Sequence, residues 1–142
     1  MSPQSIRKTL SANDAGETGG HQAGILIPKD PRILSFFPHL NGGEHNPRAH
    51  ILFEDAAGER WGFAFIYYNN HQFGGTRNEY RLTRMTRYIR QANLASGDEI
   101  ILQRDERGQY SIEHEFADRA IPTSDKSVLT LGGGWRIIDI SR

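Results

Sequence analysis

The sequence predicts a mainly β fold with short helices (α+β), in which about seven strands close into a barrel or pseudobarrel. Short apolar runs recur along the chain and are bounded by clusters of Gly, Pro, Asn and Asp. The chain has 142 residues, of which 37% are hydrophobic, and this suits one domain with a real core. We find no internal repeat and no domain boundary, so residues 1–142 are expected to form a single domain.

Seven segments fit strands because they are short and apolar, with β-branched or aromatic residues. Pro28 ends the first of them, since proline lacks the backbone N–H that a sheet requires. Two pairs are expected to form hairpins around the turns at residues 55–59 and 105–108. The predicted strands are residues 23–27, 50–54, 61–68, 99–103, 109–114, 128–131 and 135–140.

Two segments fit short helices. Residues 30–37 begin with Asp30 as a capping residue and Pro31 at the first helical position. A second helix is expected directly after Thr83, which can act as its N-terminal cap. Its apolar face would be formed by four residues spaced at i, i+3, i+4 and i+7, namely Met85, Tyr88, Ile89 and Ala92.

The remaining segments are expected to be irregular. Residues 1–9 are predicted to be a mobile lead-in. Residues 11–22 are rich in Gly, Thr and Asn, and residues 38–47 contain Asn-Gly-Gly and Asn-Pro, so both are predicted loops.

Composition excludes several classes of protein. The absence of cysteine excludes disulfides, thiolate zinc sites and thiol catalysis, and it fits a cytoplasmic location. No apolar run approaches the length of a membrane span, so no membrane partner is expected. The six histidines show no metal-ligand spacing, and no cofactor is expected.

The sequence also argues against a nuclease centre of the common metal-dependent kind. Such a centre needs Asp or Glu two residues before a lysine, but Ile6, Ile27 and Ser124 stand before the three lysines. We therefore expect that this chain binds its target and does not cut it.

The charge is balanced overall but unevenly distributed. There are 17 basic and 17 acidic residues, which argues against a non-specific polyanion binder. Residues 71–90 hold five arginines against one acid, whereas residues 97–118 hold seven acids against two arginines. A neutral protein with one basic segment can still dock on phosphates by a single face.

The segment of residues 67–81 is the most informative in the chain. A strand-like run enters a Gly-broken loop that presents Arg77, Asn78, Glu79 and Arg81 within five residues. Arginine pairs bidentately with guanine, asparagine pairs with adenine, and a carboxylate accepts from the cytosine amino group. The alternative is an ordinary solvated loop with an Arg–Glu pair, and residue types alone favour that alternative.

Two ordered blocks resemble a known family. The first, residues 8–28, reads KTLSANDAGETGGHQAGILIP, and the second, residues 67–84, reads YYNNHQFGGTRNEYRLTR. Together they are similar to the N-terminal DNA-binding domain of EcoRII-type restriction endonucleases. Residues 80–101 also resemble the strand–helix–strand unit of plant B3 transcription-factor domains.

This resemblance implies a B3-like DNA-binding pseudobarrel of seven strands. Two arms would clamp the major groove of double-stranded DNA, the N-arm at about residues 8–22 and the C-arm at about residues 69–81. It implies a CCWGG-like site (W is A or T), a separate nuclease domain in a bacterial or archaeal parent enzyme, and a monomeric isolated domain. Gly75 and Tyr80 depart from the family pattern by removing positive charge from the C-arm.

The residues expected to contact DNA combine the two arms with phosphate-holding arginines behind the C-arm. Of these, the resemblance assigns base reading to His21, Arg77, Glu79 and Arg81. For Arg84 and Arg87, a solvated helix face is an equal alternative. A stand-alone B3-like transcriptional regulator, or a small divergent nuclease with His21 or His71 as general base, are the other functions considered. The full predicted set is Lys8, Asn13, Asp14, His21, Gln22, His71, Gln72, Thr76, Arg77, Asn78, Glu79, Tyr80, Arg81, Arg84 and Arg87.

Overall fold

A computed structural model describes residues 4–17, 24–117, 128–130 and 134–138. These residues form nine strands and two short helices, so the predicted mainly β fold is confirmed. The helices are α1 (Pro31–Leu34) and α2 (Thr86–Gln91). The strands are β1 (Gln4–Thr9), β2 (Ile25–Ile27), β3 (Arg48–Glu54), β4 (Arg60–Tyr68), β5 (Glu79–Thr83), β6 (Glu99–Arg104), β7 (Tyr110–Glu115), β8 (Val128–Thr130) and β9 (Trp135–Ile138).

The nine strands form one sheet in the order β2-β5-β4-β3-β7-β6-β1-β9-β8. Neighbours are antiparallel except β3 and β7, which run parallel over two residue pairs. The two ends of the sheet meet, because Trp135 of β9 donates its indole N–H to the carbonyl of Leu26 in β2 at 3.0 Å. This bond joins the first strand of the order to the last but one, as closure into a pseudobarrel requires.

The core lies inside this curved sheet. Phe36, Phe53, Phe63 and Phe65 are each no more than 2% exposed and sit in one apolar cluster with residues of both helices. Removing such a ring costs about 3–5 kcal/mol in a well-packed core. The sheet is therefore a rigid support for the loops that leave it.

The helix caps agree only partly with the sequence prediction. The Asp30 carboxylate accepts from the backbone N–H of Arg32 at 2.9 Å, and Pro31 begins α1, as predicted. The predicted cap by Thr83 is wrong, because Thr83 lies in β5 and donates its hydroxyl to the carbonyl of Ala64. Met85 is the N-cap of α2 and offers no side-chain bond.

The apolar strand patterns missed two strands, of which β5 was implied only by the resemblance to the B3 strand–helix–strand unit. Residues 4–9 form β1 rather than a mobile lead-in, and this strand pairs with both β6 and β9. Residues 79–83 form β5, which pairs with β2 and β4. Both strands carry few apolar residues, so their stability comes from pairing on two sides rather than from an apolar pattern.

Candidate functional site

The C-arm is a closed loop between β4 and β5. The chain leaves β4 at Tyr68, makes a short 3-10 turn at Asn70–Gln72 and re-enters the sheet at Glu79. The backbone N–H of His71 donates to the carbonyl of Arg77 at 2.9 Å and closes the loop. Gly74 turns the chain with a φ of 92°, a conformation that favours glycine. The arm is therefore held by its own backbone bonds.

Asn69 fixes the base of the C-arm, although it is a polar residue with no exposed surface. Its amide group donates to the carbonyl of Glu44 at 2.6 Å and to that of Gly42 at 3.3 Å. Its side-chain oxygen accepts from the backbone N–H of Asn46 at 2.8 Å. Buried polar groups need such partners, and here all the partners belong to one neighbouring loop.

A column of stacked rings supports the arm from the core side. Phe37 stacks on Phe65 with centroids 4.4 Å apart, and Phe65 stacks on Tyr80 at 5.7 Å. Tyr80 in turn stacks on Tyr67 at 4.3 Å and 10°. Burial, and then the charge of Tyr67, raise the pKa of Tyr80 above its usual value of 10.0. Tyr80 supports the arm as a stacked ring.

Arg77, Glu79 and Arg81 form one ion cluster at the end of the arm, which we call the RER cluster. Arg77 donates two hydrogen bonds to Oε2 of Glu79, at 3.1 and 2.9 Å. Arg81 donates its Nε–H to the same oxygen at 2.6 Å. The side chains are 38%, 27% and 19% exposed in sequence order, so the cluster is ordered and yet open to solvent.

Glu79 is held as a carboxylate. Burial raises its pKa, but hydrogen bonds and charge from Arg81 and Arg77 together outweigh burial, so the pKa lies below its usual value. Within the described part of the chain, its other oxygen, Oε1, accepts no hydrogen bond. The cluster thus presents two guanidinium groups and one carboxylate oxygen that can still accept a hydrogen bond.

Other predicted C-arm residues lie around this cluster. The guanidinium of Arg77 lies 3.8 Å from the ring centroid of Tyr68, which fixes its plane. The side-chain oxygen of Asn78 accepts from the hydroxyl of Tyr67 at 2.7 Å, so one of its groups is already engaged. Three further predicted residues are exposed on the arm, namely His71, Gln72 and Thr76.

The described part of the N-arm carries a buried ion pair. Nζ of Lys8 lies 3.1 Å from Oδ2 of Asp14, and the side chains are 8% and 9% exposed. Lys8 also donates to the carbonyl of Thr9 at 2.8 Å. Asp14 and Ser11 exchange two backbone-to-side-chain bonds that shape the turn, while Asn13 is exposed beside it. This geometry places Lys8 and Asp14 inside the base of the arm rather than on its surface.

The N-arm returns to the sheet beside the C-arm. Arg81 donates an Nη1–H to the carbonyl of Gly24 at 2.9 Å, which links the end of one arm to the base of the other. Gly24 has a φ of 91°, and a Cβ there would lie 2.6 Å from the carbonyl oxygen of Leu82. Only glycine fits this approach. His21 and Gln22 lie outside the described residues.

Arg84 and Arg87 occupy different parts of the surface. Arg84 is exposed at the bend between β5 and α2, with a left-handed φ of 68°, and lines a cavity of about 20 Å³ with Asp14 and Gly24. The guanidinium of Arg87 lies 5.1 Å from the ring centroid of Trp61. Trp61 stands seven residues before Tyr68 on β4, which corresponds to about 23 Å along an extended strand.

Several structural determinants of the site were missed by sequence reasoning. The sequence placed Asn69 at the start of the C-arm without a role of its own, and it placed Gly24 within a predicted strand. The stacking of Tyr67 on Tyr80 needed the β4–β5 register, which pairs these two residues directly. The small size of Gly75 is also accounted for, since a Cβ there would lie 3.0 Å from Cβ of Asn70.

Two further classes of site were sought. Across the described ranges, no group of three or more His, Cys, Asp and Glu side chains is placed to hold a metal ion. None of the helices within these ranges is long and apolar enough to cross a membrane.

Comparison with known proteins agrees with this architecture. The chain matches the family described as "Restriction endonuclease EcoRII, N-terminal" over residues 4–118. The type II restriction enzyme EcoRII of Escherichia coli is 45% identical over 82 residues, which are 54% of this chain and 20% of that enzyme. Auxin response factor 10 of Oryza sativa subsp. indica is 28% identical over 136 residues, which are 92% of this chain and 18% of that protein.

A solved structure shows the same fold. The Arabidopsis FUS3–DNA complex matches with a TM-score of 0.60 and 23% identity, over 78% of this chain and 95% of that chain. At this identity the likeness concerns the fold alone, and it confirms the predicted B3-like pseudobarrel. The chain spans about a fifth of the length of the two curated relatives. The family match covers most of the chain, and the chain belongs to the family of the N-terminal domain of the EcoRII restriction endonuclease.

Proposed function

We propose that this chain is a sequence-specific, double-stranded DNA-binding domain and serves as the recognition or effector-binding part of a type II restriction endonuclease. The C-arm and the N-arm would enter the major groove from the same side of the barrel. A CCWGG-like site is the proposed target. The EcoRII relationship and the exposed RER cluster support this proposal.

The RER cluster is the observation that carries the proposal. Arginine forks suit the O6 and N7 acceptors of guanine, and a carboxylate suits the amino group of cytosine. A G·C pair presents both kinds of group in the major groove, and CCWGG contains four such pairs. Glu79 also orients both arginines before binding, which lowers the conformational entropy lost on contact.

The parent protein is proposed to hold its nuclease in a separate domain. The matched 82 residues cover about a fifth of EcoRII. In this proposal the chain binds DNA as a monomer, without a metal or other cofactor, and does not cut it. Incubation with plasmid and Mg²⁺ or Mn²⁺ checks that part, since cleavage by the isolated chain would contradict it.

The binding proposal is tested by fluorescence anisotropy with a CCWGG duplex and a scrambled duplex of equal length and composition. We expect tighter binding of the CCWGG duplex at physiological salt. Arg77→Ala should reduce this preference by about 1–3 kcal/mol, the contribution of one bidentate base contact.

Arg107→Ala is the matched control, because Arg107 is an exposed arginine in the turn between β6 and β7 and its loss changes the charge equally. It should leave the preference unchanged. Equal affinity of the wild-type chain for both duplexes would overturn the proposal of sequence-specific binding.

A further inference from the structure

We infer that the loop of residues 41–46, which we call the buttress loop, sets the position of the C-arm through Asn69. This inference rests on the proposed function, because it assigns a positioning role in DNA recognition. Asn69 itself is buried and would touch no DNA. Its role would be to fix where the RER cluster stands relative to the barrel.

The first support is the number and direction of the bonds at Asn69. Besides the three side-chain bonds to the buttress loop, its backbone N–H donates to the side-chain oxygen of Asn46 at 3.2 Å. Asn69 and Asn46 therefore exchange side-chain-to-backbone bonds in both directions. Such a reciprocal pair fixes both orientation and distance, whereas one bond alone would allow rotation.

The second support is a separate contact further along the arm. The ring of His45 hydrogen-bonds the side-chain oxygen of Asn70 and lies against Phe73, with centroids 4.8 Å apart. Phe73 is 50% exposed near the arm tip. The buttress loop thus holds the arm at two points, its base and its outer turn.

The third support is the rigidity of the buttress loop. The side-chain oxygen of Asn41 accepts from the N–H of Gly43 at 3.0 Å, and its amide donates to Glu44 at 3.2 Å. At the other end of the loop, the carbonyl of Pro47 accepts from the N–H of Tyr67 at 3.0 Å. The Asn41 bonds shape the loop internally, and the Pro47 bond ties its end to β4, so the loop can act as a reference point for the arm.

The chemistry of Asn69 allows a clean test. Asn69→Asp keeps the shape but places carboxylate oxygen against two carbonyl oxygens, so both amide bonds are lost. Asn46→Gly is the milder variant, because Asn46 has a φ of 50°, which glycine adopts freely, and only its side-chain bond is removed. Ile112→Val, in the core on β7, controls for loss of stability without a change at the arm.

Binding is measured for each variant with the CCWGG and scrambled duplexes. The protein concentration is corrected for the fraction of folded protein, which is found by titration. We expect Asn69→Asp to reduce the ratio of the two affinities roughly ten-fold, because specific contacts depend on geometry and non-specific ones on charge. Asn46→Gly should reduce the ratio less, and Ile112→Val should leave it unchanged. An unchanged ratio in Asn69→Asp, or an equal loss in Ile112→Val, would overturn the inference.

Amide hydrogen exchange of the free protein gives a second measurement that needs no DNA. In Asn69→Asp, the amides of His71 and Gly75, which close the arm, should exchange at least roughly ten-fold faster, while the β3–β4 ladder stays protected. Unchanged exchange at these amides would overturn the positioning role by itself. If the wild-type chain fails to discriminate duplexes, the proposed function fails, and exchange still decides whether the buttress loop holds the arm.

Discussion

The ion pair of the N-arm and the ion cluster of the C-arm differ in exposure. Lys8 and Asp14 are 8% and 9% exposed and pair at 3.1 Å, and Lys8 also bonds the carbonyl of Thr9. Arg77 and Glu79 are 38% and 27% exposed, and both bonds from Arg77 fall on one carboxylate oxygen. A buried pair resists exchange of partners, whereas an exposed cluster can accept new ones. Exposure therefore separates residues that shape an arm from residues that can contact a ligand.

Breaking the buried pair should give the largest effect on stability. Asp14→Ala leaves Lys8 with a buried charge and no carboxylate, and it also removes the acceptor of the Ser11 N–H. We expect a loss of about 3–5 kcal/mol in the free energy of unfolding, measured by urea denaturation. The double variant Lys8→Met, Asp14→Leu should recover most of this loss, because no buried charge remains.

The same double variant distinguishes support from contact. If Lys8 holds a phosphate, its removal should reduce the slope of log affinity against log salt by about 0.9. The buried geometry predicts no change in this slope. A reduced slope would show that Lys8 leaves Asp14 when DNA binds. Exposure in the free protein would then not separate residues that shape an arm from residues that contact DNA.

Removing the shared carboxylate should give an intermediate effect, on specificity. Glu79→Gln leaves one acceptor oxygen, which cannot both hold the two arginines and accept from cytosine, so we expect the preference for the CCWGG duplex to fall by about 1–3 kcal/mol. The binding experiment with the two duplexes measures this change. A variant with unchanged preference would show that the Glu79 carboxylate neither contacts a base nor orients the arginines for base recognition.

The pH dependence follows from the same residue. The pKa of Glu79 is lowered in the folded protein, so its contribution to stability is present above the usual value of 4.5 and is lost as pH falls through the lowered pKa. The difference in unfolding free energy between wild type and Glu79→Gln should be constant from pH 8 to about 5 and shrink below pH 4.5. Urea denaturation as a function of pH checks this, and a difference that grows in acid would contradict it.

The fold was predictable where local patterns decide it. The β3–β4 hairpin follows from two apolar runs around a polar turn, and α1 follows from Asp30 and Pro31. By contrast, β1 buries Ser5 and Lys8 as well as Ile6, and β5 buries only Leu82 fully. These two strands are specified by their partners on both sides, which no pattern within the strand reveals.

The candidate site divides in the same way. Arg77, Glu79 and Arg81 were proposed from residue type together with the family resemblance, because base recognition needs charged side chains at close spacing. Asn69 was not, because its importance lies in bonds to residues 42, 44 and 46, which are distant in sequence. The burial of Lys8 could not be predicted from the sequence either, because it depends on the turn that brings Asp14 back to the end of β1.

The smallest expected effect is a difference in the salt dependence of binding between variants of two exposed arginines, Arg84 and Arg87. Arg84 lines a cavity with Asp14 and Gly24, beside the base of the N-arm. Arg87 lies over Trp61 instead, away from this cavity. If the N-arm faces the duplex, Arg84 is better placed than Arg87 to hold a phosphate. Arg84→Ala should therefore reduce the salt slope by about 0.9 with little change in sequence preference, and Arg87→Ala should change the slope less.

Titration of affinity against salt, with one duplex and both variants, measures this difference. Each substitution removes one exposed arginine, so the change in net charge is identical and only position differs. Equal reduction of the slope by both variants would mean that DNA extends along the barrel as far as Trp61. The binding face would then include α2, and the arms would be one part of a broader basic surface rather than the whole of the contact.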